Sequence, residues 1–482
     1  MQRRHASPRG APSFTRRRAR ARSADRLLRA AAGLGVAAAS LLGATGASAD
    51  DVTARLDAQD REIARLREEI ARERRDREAE AKRPPPITVG GYAQVDWVAY
   101  RESSQDELSA GTTRQPLNSE RFLLRRSRIR VVSERSIFHG VLELDANTVQ
   151  GLQVRPINAE ASIKWPTSHR YPTPATSSFG SSKEPYIIVT AGLFRTPFGF
   201  AVVEGSRERT FFERSTFASA LFPGSFDLGL RVLGGYKLLN YALGIVNGAP
   251  IGERAFPGRD PNKSKDVVMR VGTSTDVVGG VRLDVGVSGL TGRGFHAGDA
   301  GTKADVTWRD ANGDAVVQPS EIVGVPGTPG APSGSFLRYA LGADARVVVA
   351  VPVLGSLQLR GEVVRGRNLD RGLVLADPVA AGRNLTELGW AVGATQELTH
   401  WAAAAVRYDE YRPDVNAPSP PPGAAQTDVA FSTWTFSGGV RLDRSRLVGE
   451  FAHRDNATGV SPAGVPQALA DDSFTMRAEV GF

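Results

Sequence analysis

Arg126, Arg128 and Arg130 stand two residues apart in the segment 121–134, with Ser127, Ile129 and Val131 in alternation. In an extended chain, residues two apart share a face, so the three guanidinium groups form a row. A guanidinium stays charged and grips phosphate or carboxylate as a fork, which suits passing anions from site to site. The segment 196–224 carries a second group, Arg207, Arg209 and Arg214, interleaved with Glu204, Glu208 and Glu213 and free of lysine. The same alternation turns Glu143 and Asp145 to the side of the row. Gln358, Arg360 and Glu362 follow, then Arg407 and Asp409, then Arg477 and Glu479. Charges of both signs on one wall select ions in a channel, or they simply hydrate and brace the wall. The sequence leaves both readings open.

Other chemistries are poorly served. The six histidines (5, 139, 169, 296, 400 and 453) show no metal-ligand spacing, and cysteine is absent. No nucleophile elbow or phosphate-binding loop occurs. We expect no enzyme and no required cofactor. One loop does follow Ca²⁺-loop spacing. Asp310, Asn312, Asp314, Gln318 and Glu321 fall at positions 1, 3, 5, 9 and 12, and Val316 offers its carbonyl at position 7. Calcium takes six to eight such oxygens. Ala315 stands at position 6 where glycine is usual. A stand-alone Ca²⁺ loop at 310–321, stiffening a surface loop, is one expectation; a polar turn is the other.

What positions the charged rows is read from periodicity. From Ile87 onward the pattern alternates, in about sixteen strand-like segments running from 87–101 to 472–482, matching the even strand counts of bacterial barrels. Tight turns at 135, 236, 274–276, 351–354, 399 and 444–445 alternate with long polar loops. The connection 166–184 is long on the short-turn side, against the rule. Three arginines on a lipid face would cost roughly 2–4 kcal/mol each at the bilayer midplane, so the row must face water. In the last segment Phe474, Met476, Ala478, Val480 and Phe482 alternate with Thr475, Arg477, Glu479 and Gly481, one face for lipid and one for water. A terminal Phe on this pattern resembles the address read by the outer-membrane assembly machinery. The expected fold is all-β: a 16-stranded antiparallel transmembrane β-barrel at 87–482. Mean hydropathy of −0.24 argues against a helical membrane protein.

The N-terminal part is different. Residues 1–49 read as a secretory signal, with a basic region, an Ala-rich apolar stretch and the cleavage site Ala47-Ser48-Ala49. This segment holds ten of the 61 Lys+Arg and one of the 52 Asp+Glu, so the remaining chain carries 51 of each and no formal charge. The basic pI of 9.9 therefore does not indicate nucleic-acid binding. In 50–83, Leu56, Ile63 and Ile70 fall at heptad position a, and Val52, Gln59 and Leu66 at d. That spacing predicts a short coiled coil of about three heptads, marginal by itself. Pro84-Pro85-Pro86 ends it as a stiff linker.

Several stretches resemble the phosphate-selective porin O/P family. They are Arg125-Arg126-Ser127-Arg128-Ile129, 191–198 (Ala-Gly-Leu-Phe-Arg-Thr-Pro-Phe), Phe212-Glu213-Arg214-Ser215, Asp227-Leu228-Gly229-Leu230, Val246-Asn247-Gly248 and Tyr408-Asp409-Glu410-Tyr411. Together they cover about 87–482. The resemblance implies a trimeric, 16-stranded porin whose third loop folds inward and narrows the pore. Phosphate-selective members carry a lysine cluster there, which 196–224 lacks. The expected function is passive diffusion of small hydrophilic solutes across the bacterial outer membrane, favouring anions modestly. The alternative is a structural barrel that tethers the envelope through its coiled coil.

Overall fold

The computed structural model describes residues 49–82, 87–101, 118, 120–149, 151–166, 182–249, 263–277, 279–417, 430–456, 459–460, 466–468 and 470–482. The export signal, apart from Ala49, and the linker 84–86 lie outside the described residues. The chain divides into two compact units, 1–84 and 85–482.

In the first unit α1 runs from Ala49 to Lys82. Leu56, Ile63, Leu66 and Ile70 are all exposed on it. A single copy therefore leaves its apolar stripe uncovered.

The second unit is a closed antiparallel barrel. Its strands are β1 (Ile87–Tyr100), β2 (Arg121–Arg135), β3 (Phe138–Asn147), β4 (Gln153–Trp165), β5 (Ser182–Arg195), β6 (Phe226–Lys237), β7 (Leu239–Val246), β8 (Asp266–Asp276) and β9 (Val281–His296). A hairpin of β10 (Asp305–Trp308) and β11 (Ile322–Val325) interrupts the wall, which resumes with β12 (Gly334–Val351), β13 (Gly355–Arg367), β14 (Thr386–Glu397), β15 (Ala402–Arg412), β16 (Phe431–Leu442) and β17 (Ser445–Asp455). A small pair, β18 (Gly459–Val460) and β19 (Pro466–Gln467), precedes the last strand, β20 (Ser473–Gly481). Among the described residues sixteen of these strands close the barrel, and β1 pairs with β20. Phe482 extends that seam by exchanging two backbone hydrogen bonds of 3.0 Å with Gly91.

The burial pattern is inverted relative to a water-soluble sandwich. On β20, Phe474 is 40% exposed while Arg477 on the opposite face is 1% exposed. Ile129, Leu142, Val363, Trp434 and Phe436 are likewise exposed, whereas Arg128, Glu143, Asp145, Arg407, Asp409 and Glu479 are buried inside. An apolar outer band around a charged interior is the arrangement of a barrel set in lipid.

Two local expectations are corrected. The turn placed at 274–276 lies inside β8, which runs on to Asp276, and the described part of the reversal into β9 is at Val277, Gly279 and Gly280. Gly279 and Gly280 there adopt φ of 63° and 83°, which glycine adopts without Cβ strain. The loops 294–334 and 457–470 are not featureless, because they contain β10–β11 and β18–β19. The third loop holds two short helices, α2 (Phe200–Val203) and α3 (Thr216–Leu221).

One departure matters for the interior. The β1–β2 register slips at Gln94/Val95, where Gln94 faces Arg126 and Val95 faces Leu124. Arg125 is the extra residue of a β-bulge, a feature that re-aims side chains. Below the bulge Arg126, Arg128 and Arg130 face the lumen as expected. At the bulge Arg125 also turns inward, its side chain only 12% exposed.

Candidate functional site

The third loop, 196–225, leaves β5 and enters the barrel. Its apolar side chains Phe198, Val202, Phe217, Leu221 and Phe222 form a buried cluster with wall residues Leu290, Ala340, Val364, Tyr411 and Phe431. The wall makes room for α3 at Gly389, where a Cβ would sit 2.1 Å from Cβ of Phe217. Wall carboxylates then secure the backbone. Glu362 accepts N–H bonds from Phe200 (3.1 Å) and Ala201 (2.8 Å), the first residues of α2. Asp409 accepts from Thr216 N (2.7 Å) at the start of α3, and Glu450 accepts from Phe212 N (2.9 Å). Acceptors at helix N-termini satisfy donors that no intrahelical carbonyl reaches.

The arginine row is compensated along its length. Arg130 lies 3.4 Å from Glu143. Arg128 binds Asp145 at 3.0 Å and Ser206 Oγ at 3.1 Å. Arg126 reaches Glu213 of the third loop at 3.1 Å. Arg125 donates to the same carboxylate at 2.9 Å, and Arg477 stands 3.6 Å away. Burial alone would raise the Glu213 carboxyl, but Arg125 and Arg126, with Arg477 adding, outweigh it and hold it well below the usual carboxylate range.

The loop arginines divide by role. Arg207 stands 3.7 Å from Glu479. Arg214 donates to the carbonyls of Phe222 (2.9 Å) and Pro223 (3.4 Å), closing the end of α3. On the wall, Arg360 meets Glu204 at 3.2 Å, and Arg407 meets Asp409 at 3.1 Å and the Glu213 carbonyl at 2.9 Å. Arg209 is different. It is 5% exposed, and its Nε has no hydrogen-bond partner among the described residues. Burial, then Arg214 and Arg126, pull its pKa well below the ordinary arginine value. Ser215 Oγ is also buried without a partner among the described residues.

Arg209, Arg214, Arg360, Arg407, Ser215, Glu204, Glu213 and Glu362 all line one small cavity of about 40 Å³, with Phe200 and Phe211. Towards the short turns lies a chamber of about 280 Å³, lined by Gln358, Thr395, Ala405, Ser437 and Arg446, and it shares Arg209. Towards the long loops lies a chamber of about 490 Å³, which shares Glu213, Arg214 and Arg407. This small space, the neck, thus shares lining residues with a larger space on either side. The sequence expectation named most of these side chains, but of the groups that hold Glu213 it omitted Arg125, because strict alternation assigns it to lipid. The signal was present: a charged residue with the parity of Ile129 needs a bulge.

The 310–321 loop sits apart from the neck, between β10 and β11. Asp310 accepts backbone N–H bonds from Gly313 (2.6 Å) and Ala315 (2.8 Å), and Asp314 accepts from Val316 N (2.7 Å) and Gln318 Nε2 (2.7 Å). Asn312 Oδ1 accepts from Asp314 N at 3.0 Å. Glu321 accepts from Trp308 Nε1 (3.1 Å) and Ala311 N (3.0 Å). The N–H of Ala315 and the indole of Trp308, respectively, are the leading causes that lower the Asp310 and Glu321 carboxyls. Ala315 takes up φ 57°, the position the spacing assigns to glycine. Among the described residues no group of three His, Cys, Asp or Glu is placed to hold a metal. A Ca²⁺ ion would compete with these N–H donors for the same oxygens.

No family model matches the chain, and no curated protein matches its sequence. Solved structures do match. The outer membrane channel DcaP of Acinetobacter baumannii is 10% identical with a TM-score of 0.50, over 83% of this chain and 98% of that one. A loop L8 deletion mutant of OmpT, an outer membrane protein of Vibrio cholerae, is 11% identical at 0.48, over 82% and 99%. OprB of Pseudomonas putida, in a high-pH structure, is 10% identical at 0.47, over 82% and 94%. At these identities the likeness speaks to fold. Two features implied by the resemblance to phosphate-selective porins are present, the 16-stranded barrel and the inward-folded third loop.

Proposed function

We propose that the protein is a porin of the bacterial outer membrane, through which small hydrophilic solutes diffuse passively. The supporting observation is the neck: a charged constriction made by an inward-folded loop, lying between two larger spaces inside a barrel with an apolar exterior. Fixed charges of both signs at such a constriction keep solutes hydrated while filtering them by size and charge.

We further read the neck as mildly anion-preferring. Glu204, Glu213 and Asp409 are each engaged by arginine, whereas Arg209 is buried and its Nε is unsatisfied. Its guanidinium lines the neck, where a passing phosphate or carboxylate would offset its charge. Phosphate is one such anion, and nothing in the neck singles it out. The exposed stripe on α1 is read as the seam that joins copies into a homotrimer, and β20 with Phe482 as the signal for the assembly machinery. The loop 310–321 is offered as a Ca²⁺ loop on its spacing and on the left-handed Ala315.

Swelling of proteoliposomes in neutral sugars of graded size tests the channel. Uptake of small sugars with a sharp cut-off is expected. Folded protein that admits no pentose would remove the porin reading.

A further inference from the structure

Glu213 sits where a solute anion would sit. Its carboxylate is held by Arg125 (2.9 Å) and Arg126 (3.1 Å), with Arg477 at 3.6 Å. Two of these guanidinium groups are held by other residues too. Asp96 grips Arg477 as a fork at 2.7 and 2.6 Å, and Arg477 stacks 4.1 Å over the Phe212 ring. Gln94 Oε1 lies 3.4 Å from Arg126, while its amide donates to Glu479 at 2.6 Å. Much of the nest is therefore preorganised whatever fills it, the condition for tight oxyanion binding. The Arg125, Arg126 and Arg477 side chains are 12%, 4% and 1% exposed, but that of Glu213 is 45% exposed. The carboxylate caps the nest from the side of the larger chamber, whose lining includes Arg125, Glu213 and Arg477.

The backbone on both sides of Glu213 is pinned, by Glu450 at Phe212 N and by Asp409 at Thr216 N. The carbonyl of Glu213 itself accepts from Arg407 at 2.9 Å. The loop cannot swing as a body without breaking all three bonds. Rotation of the Glu213 side chain breaks none of them.

We propose that Arg125, Arg126 and Arg477 form an oxyanion site that Glu213 occupies as an internal surrogate, and that an incoming phosphate or carboxylate group displaces it by side-chain rotation and so widens the neck. This rests on the channel reading above. An internal competitor lowers the apparent affinity for the external anion by the fraction of time the site is vacated. It also keeps the neck narrow until an anion arrives.

The test uses the full-length protein in detergent and in planar bilayers. Inorganic phosphate is titrated by calorimetry into wild type, E213Q and R126A, with retained heat-modifiable migration as the check on folding. E213Q is expected to bind phosphate about tenfold or more tightly than wild type, since the amide neither fills nor repels as the carboxylate does. R126A is expected to lose most of that binding. In bilayers, phosphate added to KCl is expected to raise wild-type conductance, whereas E213Q starts high and does not respond. Equal phosphate affinity in wild type and E213Q would overturn the proposal even if both proteins conduct. Tighter binding in E213Q with no conductance in either would keep the oxyanion site while removing the channel and its gate.

Discussion

Arg125 and Arg126 are adjacent in the chain, yet both point into the barrel and bind the same carboxylate, Glu213. Consecutive strand residues normally face opposite sides; the bulge opposite Gln94 and Val95 is what brings them together. The wild-type chain lacks cysteine, so single substitutions give a clean accessibility assay. Arg125→Cys and Arg126→Cys should both react with a charged, membrane-impermeant thiol reagent, and Ile129→Cys should not. An unreactive Arg125→Cys alongside a reactive Arg126→Cys would mean regular alternation and no bulge.

The third loop should come off the wall when its seat is filled. Gly389→Leu places side-chain atoms where Phe217 now packs, and Glu362→Leu leaves the N–H groups of Phe200 and Ala201 without their acceptor, a loss of about 1–3 kcal/mol. Both variants should still form the barrel, because neither touches a ladder hydrogen bond, and both should admit larger sugars in swelling assays. An unchanged size limit in both would show that the loop does not set it.

The pH response follows from Glu213. Its carboxyl is lowered in the folded protein, so its pairing with Arg125 and Arg126 stabilises the loop fully above the unfolded value of about 4.3 and is lost only as pH falls through the lower folded value. Conductance of the wild type should therefore be flat from pH 7 to about pH 4.5 and rise only below it. A rise centred near pH 6 would assign the opening to another group.

Calcium is checked directly. Titration of Ca²⁺ alone into the metal-stripped protein should give saturable binding that Asp310→Ala removes. Binding that survives Asp310→Ala would move the ion elsewhere, and no heat at all would leave 310–321 as a loop closed by its own N–H groups.

Polar substitution of Leu56, Ile63 and Ile70 should dissociate the proposed trimer while leaving the conductance of each barrel intact. Lost attachment to the cell wall, with the trimer preserved, would instead favour the tethering role.

Much of the interior was legible from alternation alone. Arg126, Arg128 and Arg130, the pair Glu143 and Asp145, and the inward residues of β13, β15 and β20 all follow from a period of two applied to charges that lipid rejects. What alternation could not supply were its own interruptions. Arg125 needed a bulge, and the β8–β9 turn needed the pair Gly279–Gly280 to be weighed above the polar run before it. The strands β10 and β11 have four residues each and lie in a Pro- and Gly-rich stretch whose composition reads as loop. Which wall residues the third loop meets was out of reach, because Glu362, Asp409 and Glu450 bind it across separations of some 160 to 240 residues. Such contacts are set by barrel closure and leave no local pattern.

The most direct test of the whole account is a single-channel recording of the purified protein in a planar bilayer under a KCl gradient. The account predicts stepwise conductance with a reversal potential on the anion side, moving towards zero in Arg209→Ala. Folded protein that inserts and stays silent at every voltage would contradict it.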